Sequence, residues 1–179
     1  MKRIAQAIDW LNERVGRITI WLVLLSVLIS SGNALSRYLF NYSTNGMLEI
    51  QWYLFSMIFL LCAGYTLKHD GHVRIDVIYG RLSKRGKAVI NILGGLLFLL
   101  PVCVIITKMS WATFMTSLRI NEGSPDIGGL LRWPIKLLIP VGFFLLGLQG
   151  ISQIIKEIII FRDPKSVTIP REAHDEKVA

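Results

Sequence analysis

Two histidines and two aspartates lie close together in one polar segment of the chain. His69, Asp70, His72 and Asp76 carry imidazole and carboxylate groups, which are common ligands of Zn²⁺ and related ions. A zinc site needs a third converging ligand, and the histidines instead stand beside a basic cluster, as is usual in a solvated loop. The sequence therefore predicts no metal site.

Other patterns that carry enzyme chemistry are absent from the sequence. It contains no GxSxG or HExxH motif and no glycine-rich phosphate loop. The third histidine is His174, so none of the histidines lies in an apolar stretch where it could bind haem. Cys62 and Cys103 do lie in apolar stretches, where a thiol behaves as a small buried hydrophobe. We predict that the protein is not an enzyme and has no catalytic residues and no cofactor.

One pair of opposite charges flanks a short polar segment at 41–46. Arg37 and Glu49 could pair with each other or bind a partner subunit. They could equally be exposed charges that contribute little to stability. The sequence leaves these interpretations open.

Four long apolar stretches dominate the chain. Of its 179 residues 53% are hydrophobic, and the mean hydropathy is +0.51. A helix of roughly 18 or more apolar residues crosses a hydrocarbon core about 30 Å thick. The first stretch is too long for a cleaved signal peptide and lacks a small-residue cleavage site. The stretches run over residues 18–35, 50–67, 88–106 and 135–155.

An amphipathic pattern precedes the first stretch. Ile4, Ile8, Leu11 and Val15 recur at helical spacing with polar residues between them. The predicted fold is an all-α membrane protein in which four transmembrane helices follow an amphipathic interfacial helix. The predicted segments are the cytoplasmic-interface helix 1–17, transmembrane helix 1 at 18–37, helix 2 at 49–67, a cytoplasmic loop at 68–87, helix 3 with a periplasmic extension at 88–116, a periplasmic loop at 117–132, helix 4 at 133–157 and a mobile cytoplasmic tail at 158–179.

The basic residues are distributed unevenly between the two sides of this four-helix arrangement. The net charge is +8, and of the 20 Lys and Arg residues 15 lie in the N-terminal segment, the middle loop and the tail. The other five lie on the opposite side. Cytoplasmic segments are enriched in Lys and Arg, so both termini are predicted to be cytoplasmic. This distribution gives no support for a nucleic-acid partner.

The predicted spans contain no ionisable residue in their interiors. A protein that moves ions by itself places such groups at mid-membrane, so their absence argues against an autonomous carrier. No inverted repeat divides the chain into similar halves. Span one instead carries Ser26, Ser30 and Ala34 at four-residue intervals, a spacing that permits close helix packing in lipid.

Several short motifs follow one another along the chain. They are Arg37-Tyr38, Glu49, Gly64-Tyr65, the loop motif with His72, Arg74 and Asp76, Ile139 to Phe143, and Gln149. This ordered set resembles the small membrane subunit (DctQ/SiaQ-like) of tripartite ATP-independent periplasmic (TRAP) transporters. The likeness extends over residues 18–155. Trp133-Pro134 departs from it, because that family more often has proline ahead of the aromatic residue.

The resemblance implies a subunit of a sodium-coupled secondary importer of organic acids in the bacterial inner membrane. Its implied partners are a large membrane transport subunit, which this subunit would support as a scaffold, a periplasmic substrate-binding protein, and membrane lipid. Candidates for packing against the large subunit are Ser26, Ser30, Ala34, Arg37 and Glu49. Candidates for docking the periplasmic protein, or else ordinary interface anchors and loop charges, are Trp111, Arg119, Glu122, Asp126 and Arg132.

Two further functions remain alternatives at this stage. A membrane-anchor subunit of a redox complex would bind haem or quinone. A free-standing membrane scaffold or small channel would act without a large partner.

Overall fold

The computed structural model describes residues 2–71 and 82–162. These residues form helices α1 (Lys2–Phe40), α2 (Asn45–Lys68), α3 (Lys84–Gly94), α4 (Leu100–Arg119) and α5 (Trp133–Arg162). A π-helical segment, Gly95–Leu99, joins α3 to α4 without a break. Four helical stretches are therefore long and apolar enough to cross a membrane. The predicted all-α fold with four spanning helices is confirmed.

The helices run alternately in opposite directions. Both ends of the described chain and the start of α3 lie at one end of the bundle, which we call the terminal end. Residues 41–44 and the connection 120–132 lie at the other, which we call the loop end. This arrangement follows from contacts such as Lys68 with Glu13 at the terminal end and Leu130 with Glu49 at the loop end.

Helix α5 packs against all the other helices. Three of its buried residues are glycines, which permit close approach in the absence of a side chain. A Cβ atom at Gly142 would lie 2.8 Å from the carbonyl oxygen of Leu60, and one at Gly150 would lie 2.8 Å from a methyl group of Leu99. Small residues on the last helix thus allow α2 and the π-helical segment to approach it closely.

Helix α1 is continuous, whereas the sequence predicted a separate interfacial helix at 1–17. No break separates the two parts, and the prediction of a distinct first helix is not confirmed. The buried residues of α1 are Ala5, Asn12, Gly16 and Thr19, which follow one helical stripe from the leader into the span. Of the polar residues of the leader, Asn12 is therefore buried inside the bundle, and Asp9 and Glu13 are half-buried. The position of this segment relative to a membrane surface stays a prediction.

Side-chain caps account for two helix starts that differ from the predicted segments. Helix α2 begins at Asn45 because the Thr44 hydroxyl accepts the Met47 amide at 3.3 Å. Helix α3 begins at Lys84, inside the predicted loop 68–87, because the Ser83 hydroxyl accepts the Gly86 amide at 3.2 Å. At the other end of the chain, α5 continues to Arg162 rather than ending at 157.

Candidate functional site

A carboxylate on α1 binds three side chains of α5 at the terminal end. One oxygen of Asp9 accepts hydrogen bonds from Gln149 Nε2 at 2.9 Å and from Ser152 Oγ at 2.8 Å. The other oxygen pairs with Lys156 Nζ at 2.5 Å. Gln149 and Ser152 are buried, so their polar atoms need partners within the protein. Asp9 is the acceptor for Gln149 Nε2 and Ser152 Oγ and so joins the first helix to the last, whereas Gln149 Oε1 is buried without a hydrogen-bond partner among the described residues.

A second carboxylate on α1 binds the end of α2. One oxygen of Glu13 pairs with Lys68 Nζ at 2.6 Å and lies 2.9 Å from His69 Nε2. Its other oxygen accepts from Arg17 Nε at 3.0 Å. Lys68 also donates to the backbone carbonyl of Asp9 at 3.3 Å. Charge-assisted hydrogen bonds therefore join α1 to α2 one turn from the contact between α1 and α5.

A buried asparagine lies where α1, α2 and α5 meet. Asn12 is fully buried, and its amide nitrogen donates to the Ile8 carbonyl at 3.3 Å. Its side-chain oxygen packs against Gly64, where any larger residue would collide with it. A Cβ at Gly64 would also lie 3.4 Å from the carbonyl oxygen of Leu145. The terminal-end cluster consists of Asp9, Asn12, Glu13, Lys68, His69, Gln149, Ser152 and Lys156.

The carboxylate of Glu49 organises the loop end. This residue begins the second turn of α2 and is only 4% exposed. One carboxylate oxygen accepts the backbone amide of Leu130 at 2.5 Å, and the other accepts a hydrogen bond from the Ser124 hydroxyl. A Cβ at Gly129 would lie 2.9 Å from the same carboxylate, so a side chain there would crowd it. Glu49 thus holds the connection 120–132 against the start of α2.

Backbone hydrogen bonds give this connection a hairpin-like shape. The Ser124 amide donates to the Leu130 carbonyl at 2.9 Å, and Gly123 and Leu131 form an isolated antiparallel bridge. The Tyr53 hydroxyl donates to the Leu131 carbonyl at 2.8 Å. The Asn45 side-chain amide donates to the Ile127 carbonyl at 3.0 Å. Two side chains of α2 therefore fix the backbone of the loop in addition to Glu49.

The base of the loop carries two further charges. The Glu122 carboxylate pairs with Lys136 on α5, and this pairing holds the pKa of Glu122 below its ordinary value. Arg132 lies close enough to both Glu49 and Glu122 to stabilise their carboxylates, and its Nε atom is buried. Its backbone amide donates to the Glu122 carbonyl at 2.8 Å. These charges connect the base of the loop to α5.

The predicted docking residues divide into two groups. Glu122 and Arg132 hold the loop together, whereas Arg119 and Asp126 have exposed side chains. Trp111 is 48% exposed, and its ring packs against that of Phe114, which lies three residues later on α4. Ile127 lies at the loop tip and is 94% exposed, and no motif marks it in the sequence. An exposed aliphatic side chain on an ordered loop becomes visible only in the structure.

The predicted packing residues also separate in the structure. Glu49 binds the loop, and Arg37 is exposed and makes no ion pair with it within the described residues. Ser26 and Ser30 are half-buried, whereas Ala34 is exposed. The loop motif with His72, Arg74 and Asp76 lies outside the described residues. Within residues 2–71 and 82–162, no group of three His, Cys, Asp or Glu side chains is placed to hold a metal ion.

Comparisons with known proteins place these features in one family. Residues 26–159 match the family model described as "Tripartite ATP-independent periplasmic transporters, DctQ component". A protein of Haemophilus influenzae described as a putative TRAP transporter small permease protein is 31% identical over 107 residues. That alignment covers 60% of this chain and 64% of the relative. Since the family model matches most of the chain, including α2 to α4 and nearly all of α5, the protein belongs to the DctQ-component family of tripartite ATP-independent periplasmic transporters.

Proposed function

We propose that this chain is the non-transporting scaffold subunit of a TRAP importer. One observation carries the proposal: every carboxylate in the described helices lies near an end of the bundle, and Asp9, Glu13 and Glu49 bind groups of this same chain. A cation-coupled carrier needs polar or ionisable groups along its transport path. The middle of this bundle offers glycines and apolar side chains, so the path would lie in a larger partner subunit.

The proposed orientation places the terminal end in the cytoplasm of a bacterial inner-membrane protein. The segments at that end carry most of the Lys and Arg residues. The loop end, with Glu49 and the connection 120–132, would then face the periplasm. Fusion of a reporter that works only in the periplasm to either terminus should give no signal, whereas insertion after Asp126 should give one.

The outer half of α1 is proposed as the surface that seats the large subunit. Within this chain α1 buries no residue beyond Thr19, although it continues to Phe40. Gly32 has open space where a Cβ would point, and Ser26 and Ser30 lie half-buried nearby on the same helix. Small residues permit close helix approach in lipid. The outer half of α1 is only partly covered by the other helices of this chain. Its uncovered side would therefore be available to support a moving transport domain of the large subunit.

The loop tip is proposed as the part that touches the periplasmic substrate-binding protein. Glu49, Asn45 and Tyr53 fix its backbone, while Asp126 and Ile127 point outward. A loop that is already ordered loses little conformational entropy on binding. Docking at this place would have to be reversible, because the binding protein must leave after it delivers its substrate.

The transported solute would be an organic acid, and the driving force a sodium gradient. Both statements rest on membership of the TRAP family and on no residue of this chain. A redox anchor, the first alternative, would need histidine or quinone contacts within the bundle; the one described histidine, His69, caps the end of α2. Family membership favours the transporter subunit over this alternative and over a free-standing channel.

Deletion of this chain tests the proposal directly. Uptake by the intact system should disappear, ligand capture by the periplasmic protein should persist, and the full-length chain should co-purify with a much larger polytopic protein. The chain reconstituted alone should accumulate no solute under a sodium gradient. Gradient-driven accumulation by the chain alone would refute the scaffold assignment.

Substitution at the loop tip tests the docking surface separately. Ile127→Ser should reduce uptake most at low concentrations of the periplasmic protein, because it weakens the encounter and leaves the transport step intact. Tyr42→Ser is a matched control, since Tyr42 is also exposed at the loop end but lies in the other connection. Equal uptake by wild type and Ile127→Ser at limiting binding protein would place docking elsewhere.

A further inference from the structure

A lysine lies in the middle of an exposed apolar face of α4. The side chain of Lys108 is exposed and forms no ion pair or hydrogen bond within the described residues. Helix α4 contains no acidic residue. Lys108 therefore faces outward as an unpaired cation and adds no ionisable group to the interior of the bundle. The residues three and four positions away on its face of the helix are all apolar and exposed, namely Val104, Ile105, Trp111 and Ala112.

Contacts between α4 and α5 fix the level of Lys108 along the bundle. The two helices run in opposite directions, and a Cβ at Gly147 would lie 3.3 Å from the Cβ of Cys103. Lys108 follows Cys103 by five residues, so this register puts it level with Gly142, which precedes Gly147 by five residues. Gly142 in turn packs against Leu60 of α2. The lysine is therefore level with the contact between α2 and α5.

This level is far from both ends of the spanning segments. Leu60 lies near the middle of the second apolar stretch, residues 50–67, and Gly142 lies six residues from Lys136 at the loop end of α5. At 1.5 Å per residue, Lys108 is about 9 Å inside the level of Lys136 and about 15 Å from the loop-end limit of the second stretch. A hydrocarbon core about 30 Å thick that encloses these stretches would also enclose Lys108.

The direction of α4 points Lys108 away from the nearer membrane boundary. A lysine near a boundary normally extends its flexible stem until the ammonium group reaches the head groups. In an α-helix each Cα–Cβ bond tilts toward the N-terminus, and the helical stretch that includes α4 runs from the terminal end to the loop end. The side chain of Lys108 therefore starts toward the middle of the membrane. Its ammonium group needs a partner at that depth.

We infer that Lys108 pairs within the membrane with a carboxylate on a spanning helix of a different polypeptide, which packs on this face of α4. Charged side chains inside a membrane pair with one another, because an unpaired charge there is costly. A second copy of this chain does not supply the carboxylate, since every carboxylate in its described helices lies near an end of the bundle. The phosphate of a lipid lies at the boundary, at a different depth.

The large membrane subunit is the spanning partner in the proposed assembly, so the inference rests on the proposed function. It adds a second contact surface to the outer half of α1. It also states the chemistry of the partner: an Asp or Glu side chain at the depth of Gly142, on a helix that is otherwise apolar where it meets α4.

Cross-linking of the purified assembly tests the pair directly. A membrane-permeable carbodiimide activates a carboxylate, and a lysine amine in contact with it then forms an amide bond while the carbodiimide leaves as a urea. Mass spectrometry should identify Lys108 joined to an Asp or Glu of the larger protein. Lys108→Arg should lose this cross-link but keep the large subunit bound, because a guanidinium group retains the charge.

Removing the charge tests its contribution to assembly. Lys108→Leu leaves the carboxylate of the partner unpaired, so the amount of large subunit that co-purifies should fall about tenfold or more. The melting temperature of the full-length chain purified alone should not fall, because the substitution removes no contact within the described residues. Arg85→Leu is the matched control. It removes the same charge from an exposed position at the start of the same helical stretch, and it should leave co-purification unchanged.

Three results would overturn the inference alone. One is equal co-purification of the large subunit with wild type and Lys108→Leu. Another is a cross-link from Lys108 to a second copy of this chain. The third is loss of bound phospholipid from Lys108→Leu in native mass spectrometry while the large subunit stays bound; the partner would then be a lipid. A wild-type chain that co-purifies with no larger polytopic protein would instead refute the proposed function, and this inference with it.

Discussion

The two ends of the bundle use carboxylates in different ways. At the terminal end Asp9 and Glu13 bind side chains of other helices, mainly Lys156 and Lys68. At the loop end Glu49 binds the backbone amide of Leu130 and the hydroxyl of Ser124. The first arrangement joins helix to helix. The second determines the shape of a loop.

This difference separates the stability of the bundle from the form of its loop. Removing a terminal-end carboxylate should loosen the packing of three helices, which is a global effect. Removing Glu49 should release the connection 120–132 while the four helices stay packed around the glycines of α5. A scaffold that also presents a docking loop needs both properties, and the structure assigns them to different residues.

Substitution of Asp9 should have the largest effect on stability. Asp9→Ala leaves the buried Gln149 amide without its acceptor and Lys156 without its partner. The cost of such losses is about 2–3 kcal/mol, so the melting temperature of the purified protein in detergent should fall clearly.

Arg17→Ala is the control for Asp9→Ala. Its side chain is 71% exposed, and the pair that it forms with Glu13 should contribute less than about 0.5 kcal/mol. Equal melting temperatures for Asp9→Ala and Arg17→Ala would mean that the terminal-end cluster does not join the helices.

Substitution of Glu49 should act locally. Glu49→Ala removes the acceptor of the Leu130 amide and of the Ser124 hydroxyl, so amide hydrogen exchange in residues 122–131 should accelerate about tenfold or more. Exchange in the middle of α5 should be unchanged. Asp126→Ala, on the exposed part of the same loop, should leave both regions as in the wild type. Faster exchange throughout the bundle would remove the distinction between the two ends.

The sequence predicted the four spanning helices because their apolar stretches are long and free of charge. It did not predict that α1 is continuous, although Ala5, Asp9, Asn12, Gly16 and Thr19 follow one stripe at three- and four-residue spacing. The apolar residues of the leader also show helical spacing, which by itself favours an interfacial helix. A polar stripe that continues from a leader into a span is the signal that would have indicated burial.

The role of Glu49 was harder to predict than that of α1. Its main partner is a backbone amide 81 residues away, and every residue except proline supplies such a group. Side-chain chemistry therefore suggested Arg37 as a partner, which the structure leaves exposed. The sequence marks Glu122 and Arg132 only as loop charges that could dock a partner. In the structure Glu122 pairs with Lys136, and the Arg132 amide donates to the Glu122 carbonyl; the sequence does not predict these contacts at the base of the loop.

The pair between Glu13 and Lys68 should contribute less than Asp9. Both side chains are about one-fifth exposed, so solvent screens their attraction. A double-mutant cycle with Glu13→Gln and Lys68→Gln should give a coupling energy of about 0.5–1 kcal/mol, measured as the free energy of unfolding. A coupling energy of zero would leave Asp9 as the main carboxylate that joins α1 to the other helices.

Acid should produce the smallest effect, at the base of the loop. Pairing with Lys136 lowers the pKa of Glu122 below its ordinary value of about 4.5. The stabilisation is therefore fully present above about pH 4.5 and is lost as the pH falls through the lowered pKa of the folded protein. Hydrogen exchange in residues 120–132, corrected for its intrinsic pH dependence, should accelerate over that range.

Comparison with Glu122→Gln isolates this contribution, because all other residues of the loop end are the same in both proteins. The variant should show a smaller acid-induced acceleration than the wild type. Identical pH profiles would mean that the pair between Glu122 and Lys136 does not hold the loop, and that its closed form depends on Glu49 and the backbone hydrogen bonds. The loop end would then depend on a single carboxylate, in sharper contrast to the several paired charges of the terminal end.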